Sequence, residues 1–178
     1  MRRELILSGE GGQGLILAGA ILAEAAGVYE GYEVVQTQSY GIQARGGASQ
    51  STVIVSDRRI KFPEVLSPEL ILCLSQEAYF RYSPKLQVGG VLLVDRHLVE
   101  VKNNHRDIEI FMLEFTSEAE KLGRRIAANM IALGAITAIS GIVKSESIIK
   151  VIPRRLSNRN VPTALQALEV GVQMGKAA

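Results

Sequence analysis

The stretch Gly9-Glu10-Gly11-Gly12-Gln13-Gly14 is the first place where this sequence offers chemistry. It fits G-x-G-x-x-G, and it stands between a short apolar run, Glu4 to Ser8, and a dense Leu, Ile and Ala run that starts at Gly14. A strand–turn–helix context is what the phosphate-binding form of the motif requires. Glycines allow positive φ and close approach to the backbone. The N–H groups and dipole of a following helix favour an anion. The dinucleotide form also requires an acidic residue near the end of the second strand, to hold a ribose. That region reads Val35-Gln36-Thr37-Gln38-Ser39, without a carboxylate. Three readings stay open. One is a phosphate or pyrophosphate on some other ligand. Another is an NAD(P) or FAD site without the usual ribose hook. The third is a tight turn that serves helix–strand packing alone.

A second candidate is Ser39-Tyr40-Gly41-Ile42-Gln43-Ala44-Arg45-Gly46-Gly47. It follows the predicted second strand, at the sheet end where open α/β proteins place ligands. The guanidinium of Arg45 matches a phosphate or carboxylate; bracing the loop against a carbonyl is the alternative. Asn129 falls in a predicted buried helix, so its amide needs partners; pinning a loop is favoured over contacting a substrate. Arg154, Arg155 and Arg159 read as a solvated surface, with a phosphate or subunit contact as the alternative. His97 and His105 have no carboxylate or cysteine at ligand spacing, so no metal is expected. Cys73, the single cysteine, sits in the apolar run Leu70 to Leu74 and reads as a core residue. One thiol cannot hold an iron–sulfur cluster, which takes about four. No Gly-x-Ser-x-Gly, His-Glu-x-x-His or Walker pattern occurs, so a self-contained hydrolase or NTPase is unsupported.

The elements that must position these residues follow from the pattern. Glu4–Ser8, Val34–Gln38, Ser51–Val55, Leu70–Leu74, Val91–Val94 and Ile108–Phe115 read as strands, with Ile60–Phe62 as the possible return of a hairpin. Helices are predicted over Gly14–Gly27 with Gly27 as the stop, Gln76–Leu86, Ser117–Val143 with Ser117 and Glu120 as a capping box, Ser147–Leu156 and Pro162–Met174. Tyr40 to Ser49 reads as a loop. Strands alternating with helices predict a single α/β domain over residues 1–178, three-layered, with a mostly parallel sheet and a Rossmann-like start. The length suits one domain. With 20 basic and 18 acidic residues and no Trp, the chain lacks the basic excess and stacking platforms of a nucleic-acid binder. Ile126 to Val143 is uncharged, but its Asn, Gly, Thr and Ser residues suit a buried core helix better than a membrane span. Arg2-Arg3-Glu4 does not open a signal peptide, and a cytoplasmic location is the expectation.

Taken together these motifs resemble the γ subunit of 2-oxoacid:ferredoxin oxidoreductases, the pyruvate/ketoisovalerate oxidoreductase catalytic domain family. The first hallmark is Gly9 to Gly14. The second is Tyr40-Gly41 through Arg45-Gly46-Gly47. Ser56-Asp57 with Ile60 and Pro63, and Asn129-Met130 with Leu133-Gly134, extend the resemblance over roughly Met1 to Gly141. Gln36 to Ser49, with Ser75-Gln76-Glu77-Ala78-Tyr79, is most similar to the 2-oxoglutarate branch; the indolepyruvate and pyruvate branches are the alternatives. Ile42-Gln43 depart from the Pro or Ala then Glu common in the family. The resemblance implies a subunit that is not catalytic alone. It implies thiamine diphosphate and iron–sulfur clusters in partner α, β and, in some members, δ subunits, with electrons passed to ferredoxin. It implies a part in coenzyme A binding for Gly9, Gly11, Gly12, Gln13, Gly14, Tyr40, Arg45, Gly46 and Gly47. A purely structural assembly role is the other expectation.

Overall fold

The structure, a computed structural model, describes residues 1–40, 48–102, 107–124 and 127–178. Six strands form one sheet: β1 (Arg2–Glu10), β2 (Glu33–Tyr40), β3 (Ala48–Ser56), β4 (Leu70–Cys73), β5 (Val91–Asp95) and β6 (Glu109–Leu113). Their order is β2-β3-β1-β4-β5-β6. β1, β4, β5 and β6 pair in parallel, while β3 runs antiparallel between β2 and β1. Five strands therefore point the same way and one is reversed, as a mostly parallel sheet requires.

The central strands carry no alternation of polar and apolar residues because both faces are covered. Leu5, Leu7, Leu70, Leu72 and Leu93 face a large core. It is built with α1 (Leu15–Glu24), α3 (Phe115–Lys121), α4 (Ala128–Ser140), α5 (Ser145–Arg155) and α6 (Val161–Ala177). Their neighbours Ile6, Ile71, Cys73, Leu92 and Val94 face a smaller core under α2 (Gln76–Tyr82), with Tyr79 and Tyr82. That makes three layers. Cys73 is fully buried, and burial pushes its thiol up to about 12.

α4 and α6 meet almost backbone to backbone. A Cβ at Gly171 would fall on the Ile131 carbonyl, and one at Gly134 on the Leu168 carbonyl.

Four local expectations are corrected. The helix after β1 does not stop at Gly27; it widens into a π turn over Ala25–Tyr29, and Gly31, at φ 76°, reverses the chain. Ile60–Phe62 is not a strand. The Arg2 guanidinium donates to the carbonyls of Phe62 (3.1 Å) and Glu64 (2.8 Å) and holds the segment as an irregular connection. The long helix from Ser117 to Val143 is two helices, α3 and α4, separated at Gly123 with φ 69°. The capping box is not formed, because α3 starts at Phe115 and the buried Asp95 carboxylate accepts the Thr116 N–H (2.7 Å). Asn160 stands at the start of α6, where its carbonyl accepts the Ala164 N–H (3.0 Å) and its side-chain oxygen accepts a hydrogen bond from Arg124 (3.0 Å).

Glu4 closes the amino end of the sheet. Its buried carboxylate accepts from Arg2 Nε (2.6 Å) and from the amides of Leu66 (2.7 Å) and Ser67 (2.8 Å). Burial alone would push this carboxyl up, but the Ser67 amide, Arg2 and the Leu66 amide outweigh it and hold it below its ordinary value of 4.5. A depressed folded-state value adds stability above the ordinary value, and that stability is lost as the pH falls through the folded one. Glu4→Gln should therefore cost about 2 kcal/mol at neutral pH, with the gap to wild type closing as the pH drops below 4.5. Urea titrations across this range test it; a gap independent of pH would remove the ionised carboxylate as its source.

Candidate functional site

The glycine turn lies at the carboxyl edge of the sheet. β1 extends through Gly9 to Glu10, with Gly9 opposite Ser49 and Glu10 opposite Ala48. Gly9 is buried, and a Cβ there would collide with the Gln13 side-chain oxygen and press on Leu15 and Leu74, so the folded-back Gln13 and close strand–helix packing together favour glycine at this position. Gly12 (φ 92°) and Gly14 (φ 74°) take the left-handed conformation that turns the chain into α1. Gly11 and Gly12 are exposed, and their amides have no protein acceptor among the described residues. The first helical bond runs from the Ala18 N–H to the Gly14 carbonyl (3.0 Å), so the amides of Leu15, Ile16 and Leu17 have no acceptor within the helix.

Gln13 is used differently from its glycine neighbours. Its N–H is directed to the Glu10 carbonyl (3.3 Å). Its side-chain oxygen accepts the Glu10 N–H (2.7 Å), and its side-chain nitrogen donates to the Leu74 carbonyl (3.0 Å). The residue braces the turn against the end of β4. Asn129 braces it from the other side: its buried side chain donates to the Gly14 carbonyl (3.0 Å). The expectation that Asn129 pins a loop agrees with this bond. Asn129→Ala should cost about 1–2 kcal/mol and speed hydrogen exchange at the amides of the turn. Exchange unchanged at Gly11 to Leu15 would mean that the turn holds its shape without that amide.

Gly12 and Gln13, with Glu10, Leu74, Leu98, Thr116 and Ala128, line a cavity of about 310 Å³. The end of β1, the connections after β4 and β5, and the starts of α3 and α4 thus converge on one groove. Tyr40 ends β2 opposite Ser49, so the strand register brings both flanks of the 41–47 connection to the β1 edge where the glycine turn begins. Gly41, Arg45, Gly46 and Gly47, expected at the site, lie outside the described residues, as does His105.

Sequence reasoning missed two residues that shape the groove. Asp95 is buried at the end of β5 and accepts from the amides of His97 (2.9 Å), Leu98 (3.2 Å) and Thr116 (2.7 Å). Gln76 pairs with Glu100 through both ends of its amide (2.7 and 3.1 Å). An acidic residue closing an apolar strand was the available signal for Asp95; nothing local marked Gln76. The arginine cluster is partly neutralised, since Glu24 in α1 holds both Arg154 (3.0 Å) and Arg155 (2.5 Å) of α5. Among the described residues no group of three or more His, Cys, Asp or Glu is placed to hold a metal ion. No described helix is long and apolar enough to cross a membrane.

The family model for pyruvate ferredoxin/flavodoxin oxidoreductase matches residues 4–174. The chain is 44% identical to the 2-oxoglutarate synthase subunit KorC of Methanocaldococcus jannaschii, over 98% of this chain and 96% of that protein. It is 32% identical to the ketoisovalerate oxidoreductase subunit VorA of Methanothermobacter marburgensis, over 75% of this chain and 27% of that one. The crystal structure of a keto/oxoacid ferredoxin oxidoreductase γ subunit from Geobacter sulfurreducens superposes with a TM-score of 0.90 at 42% identity, covering 100% of this chain and 98% of that one. A 2-oxoglutarate:ferredoxin oxidoreductase from Magnetococcus marinus, with 2-oxoglutarate, coenzyme A and succinyl-CoA bound, has the same fold over 99% of this chain and 31% of its own. Its TM-score is 0.89 and its identity 19%.

Proposed function

The chain belongs to the pyruvate ferredoxin/flavodoxin oxidoreductase family, and from that premise we propose that it is the γ subunit of a 2-oxoglutarate:ferredoxin oxidoreductase. Such a complex oxidatively decarboxylates a 2-oxoacid to an acyl-CoA and passes the electrons to ferredoxin. The observation that carries this reading is the end-to-end likeness to a 2-oxoglutarate synthase subunit of nearly the same length.

The chemistry of the residues suits an accessory part. The single thiol, Cys73, is buried in β4 and cannot join a cluster site. Iron–sulfur clusters and thiamine diphosphate then belong to the α, β or δ subunits, where thiamine diphosphate supplies the stabilised carbanion of decarboxylation. On this chain, the exposed Gly11 and Gly12 amides and the start of α1 are suited to a coenzyme A phosphate, and the Arg45 guanidinium is the charge the sequence offers for it. Gly9, Gln13 and Gly14 set the shape of the turn.

The rival reading is an assembly subunit whose glycine turn meets a neighbouring chain. The double brace from Gln13 favours it, because a turn held so firmly also serves as a docking surface. The two are separated in the assembled complex. Arg45→Ala should raise the apparent KM for coenzyme A roughly tenfold or more, since a charge-assisted hydrogen bond contributes about 1.5–3 kcal/mol and about 1.4 kcal/mol is tenfold. Unaltered coenzyme A kinetics in a fully assembled variant would favour the assembly role. Reduction of ferredoxin with 2-oxoglutarate, and not with pyruvate or a branched oxoacid, tests the substrate.

A further inference from the structure

Leu98 lines two neighbouring cavities, the groove at the glycine turn and a second one at the ends of β5 and β6. This second cavity, about 430 Å³, is lined by Gln76, Arg96, His97, Glu100 and Met112 among others. The connection that carries Arg96 and His97 is fixed at three points. Asp95 takes the amides of His97 and Leu98. Gln76 clamps Glu100. The Lys102 N–H donates to the Tyr79 hydroxyl (3.3 Å). The backbone is held, yet the Arg96 and His97 side chains are left exposed.

Arg96 has one ion pair given by the structure, a loose one to Glu114 at 3.5 Å, in which the two side chains are 56% and 39% exposed. A pair this exposed contributes about 1 kcal/mol at most and yields readily to a doubly charged ligand group. Glu100 faces Lys102 (3.6 Å), and Glu10, the other carboxylate of the groove, is exposed to solvent. β4 alone separates β1 from β5. Neighbouring strands lie about 4.8 Å apart, which sets β1 and β5, the strands that lead into the glycine turn and the Arg96 turn, roughly 10 Å from each other. Leu74 and Leu98 supply apolar surface on the floor between them.

We infer that Arg96 and His97 form a second anion subsite of this groove, suited to a phosphate borne on a ribose whose diphosphate lies at the glycine turn. This rests on the reading that the turn serves coenzyme A, which carries a 5′-diphosphate and a separate 3′-phosphate. Arg96 supplies the paired donors and His97 adds one more. The subsite selects for the 3′-phosphate.

The test compares coenzyme A with dephospho-coenzyme A, which lacks that phosphate, in the assembled complex. The wild type should show a KM for dephospho-coenzyme A at least roughly tenfold higher. In Arg96→Gln/His97→Gln the ratio should fall to about one, mainly through a rise in the KM for coenzyme A, while Arg96→Lys should retain part of the preference. Both positions are exposed, so assembly and melting temperature should match the wild type. A wild type that does not discriminate the two ligands would overturn the inference. So would a double variant that keeps the ratio while Arg45→Ala weakens both ligands equally, an outcome that leaves the proposed function standing. If neither the double variant nor Arg45→Ala moves any coenzyme A constant, the underlying reading fails with it.

Discussion

Replacing Gly171 with valine should abolish cooperative folding, and even Gly171→Ala should cost several kcal/mol. A Cβ at this position would fall on the carbonyl oxygen, carbonyl carbon and Cα of Ile131, all backbone atoms of α4. Backbone cannot step aside as a flexible side chain does, so the two helices must separate. Their separation would open contacts made by Ile131, Leu133, Ala135, Ala167 and Leu168, all in the main core. Overpacking in a dense core costs about 1–3 kcal/mol and occasionally more, against a total stability of about 5–15 kcal/mol for a domain. Helix propensity pulls the other way: alanine is favoured over glycine inside a helix by about 1 kcal/mol. The sign of the Gly171→Ala result therefore decides between the two effects. Urea denaturation of the purified subunit measures it, and a variant more stable than the wild type would show that α4 and α6 do not approach this closely.

The second large effect is expected at Asp95. Asp95→Ala leaves the amides of His97 and Thr116 without their acceptor, while Leu98 keeps the Asp95 main-chain carbonyl (3.2 Å), and Thr116 is buried. An orphaned buried donor costs about 1–3 kcal/mol. A total of about 2–4 kcal/mol follows from the two, because His97 is exposed and water recovers part of its bond. Asp95→Asn keeps one oxygen for His97 and Leu98 but turns an amino group toward the Thr116 N–H, so about half the loss should remain. Hydrogen exchange should separate the sites, with Thr116 unprotected in both variants, His97 only in alanine, and Leu98 still held by the Asp95 carbonyl. Equal stability of the alanine and asparagine variants would mean that the Thr116 bond dominates. The same substitution should loosen the connection carrying Arg96 and His97, so it links the fold to the groove directly.

The shape of the glycine turn was legible in the residues, whereas the 41–47 stretch lies outside the described residues. The glycine turn was recognisable because positive φ, tight packing and an exposed anion-ready backbone all demand glycine, and Gly9, Gly12 and Gly14 meet these demands within six residues. The buried strands were recognisable because Leu70–Cys73 and Val91–Val94 are apolar on both faces, which only a covered parallel sheet explains. Asn129 was recognisable as a brace because a buried amide in a helix needs a partner. The family resemblance drew on the same short stretches.

Other features were decided only in three dimensions. Local pattern predicted one helix from Ser117 onward, because capping and apolar periodicity are properties of neighbouring residues. The real start of α3 is set by Asp95, some twenty positions away, and the break at Gly123 separates it from α4. The reversal of β3 between β2 and β1 is a pairing choice that no single strand encodes. Gly171 is unremarkable in the sequence and Gly134 marked only part of a resemblance; both become obligatory only where α4 meets α6. Side-chain type and spacing report what each segment can do with its own backbone. Which distant amide finds which carboxylate, and which two helices touch, is settled by the packing of the whole chain.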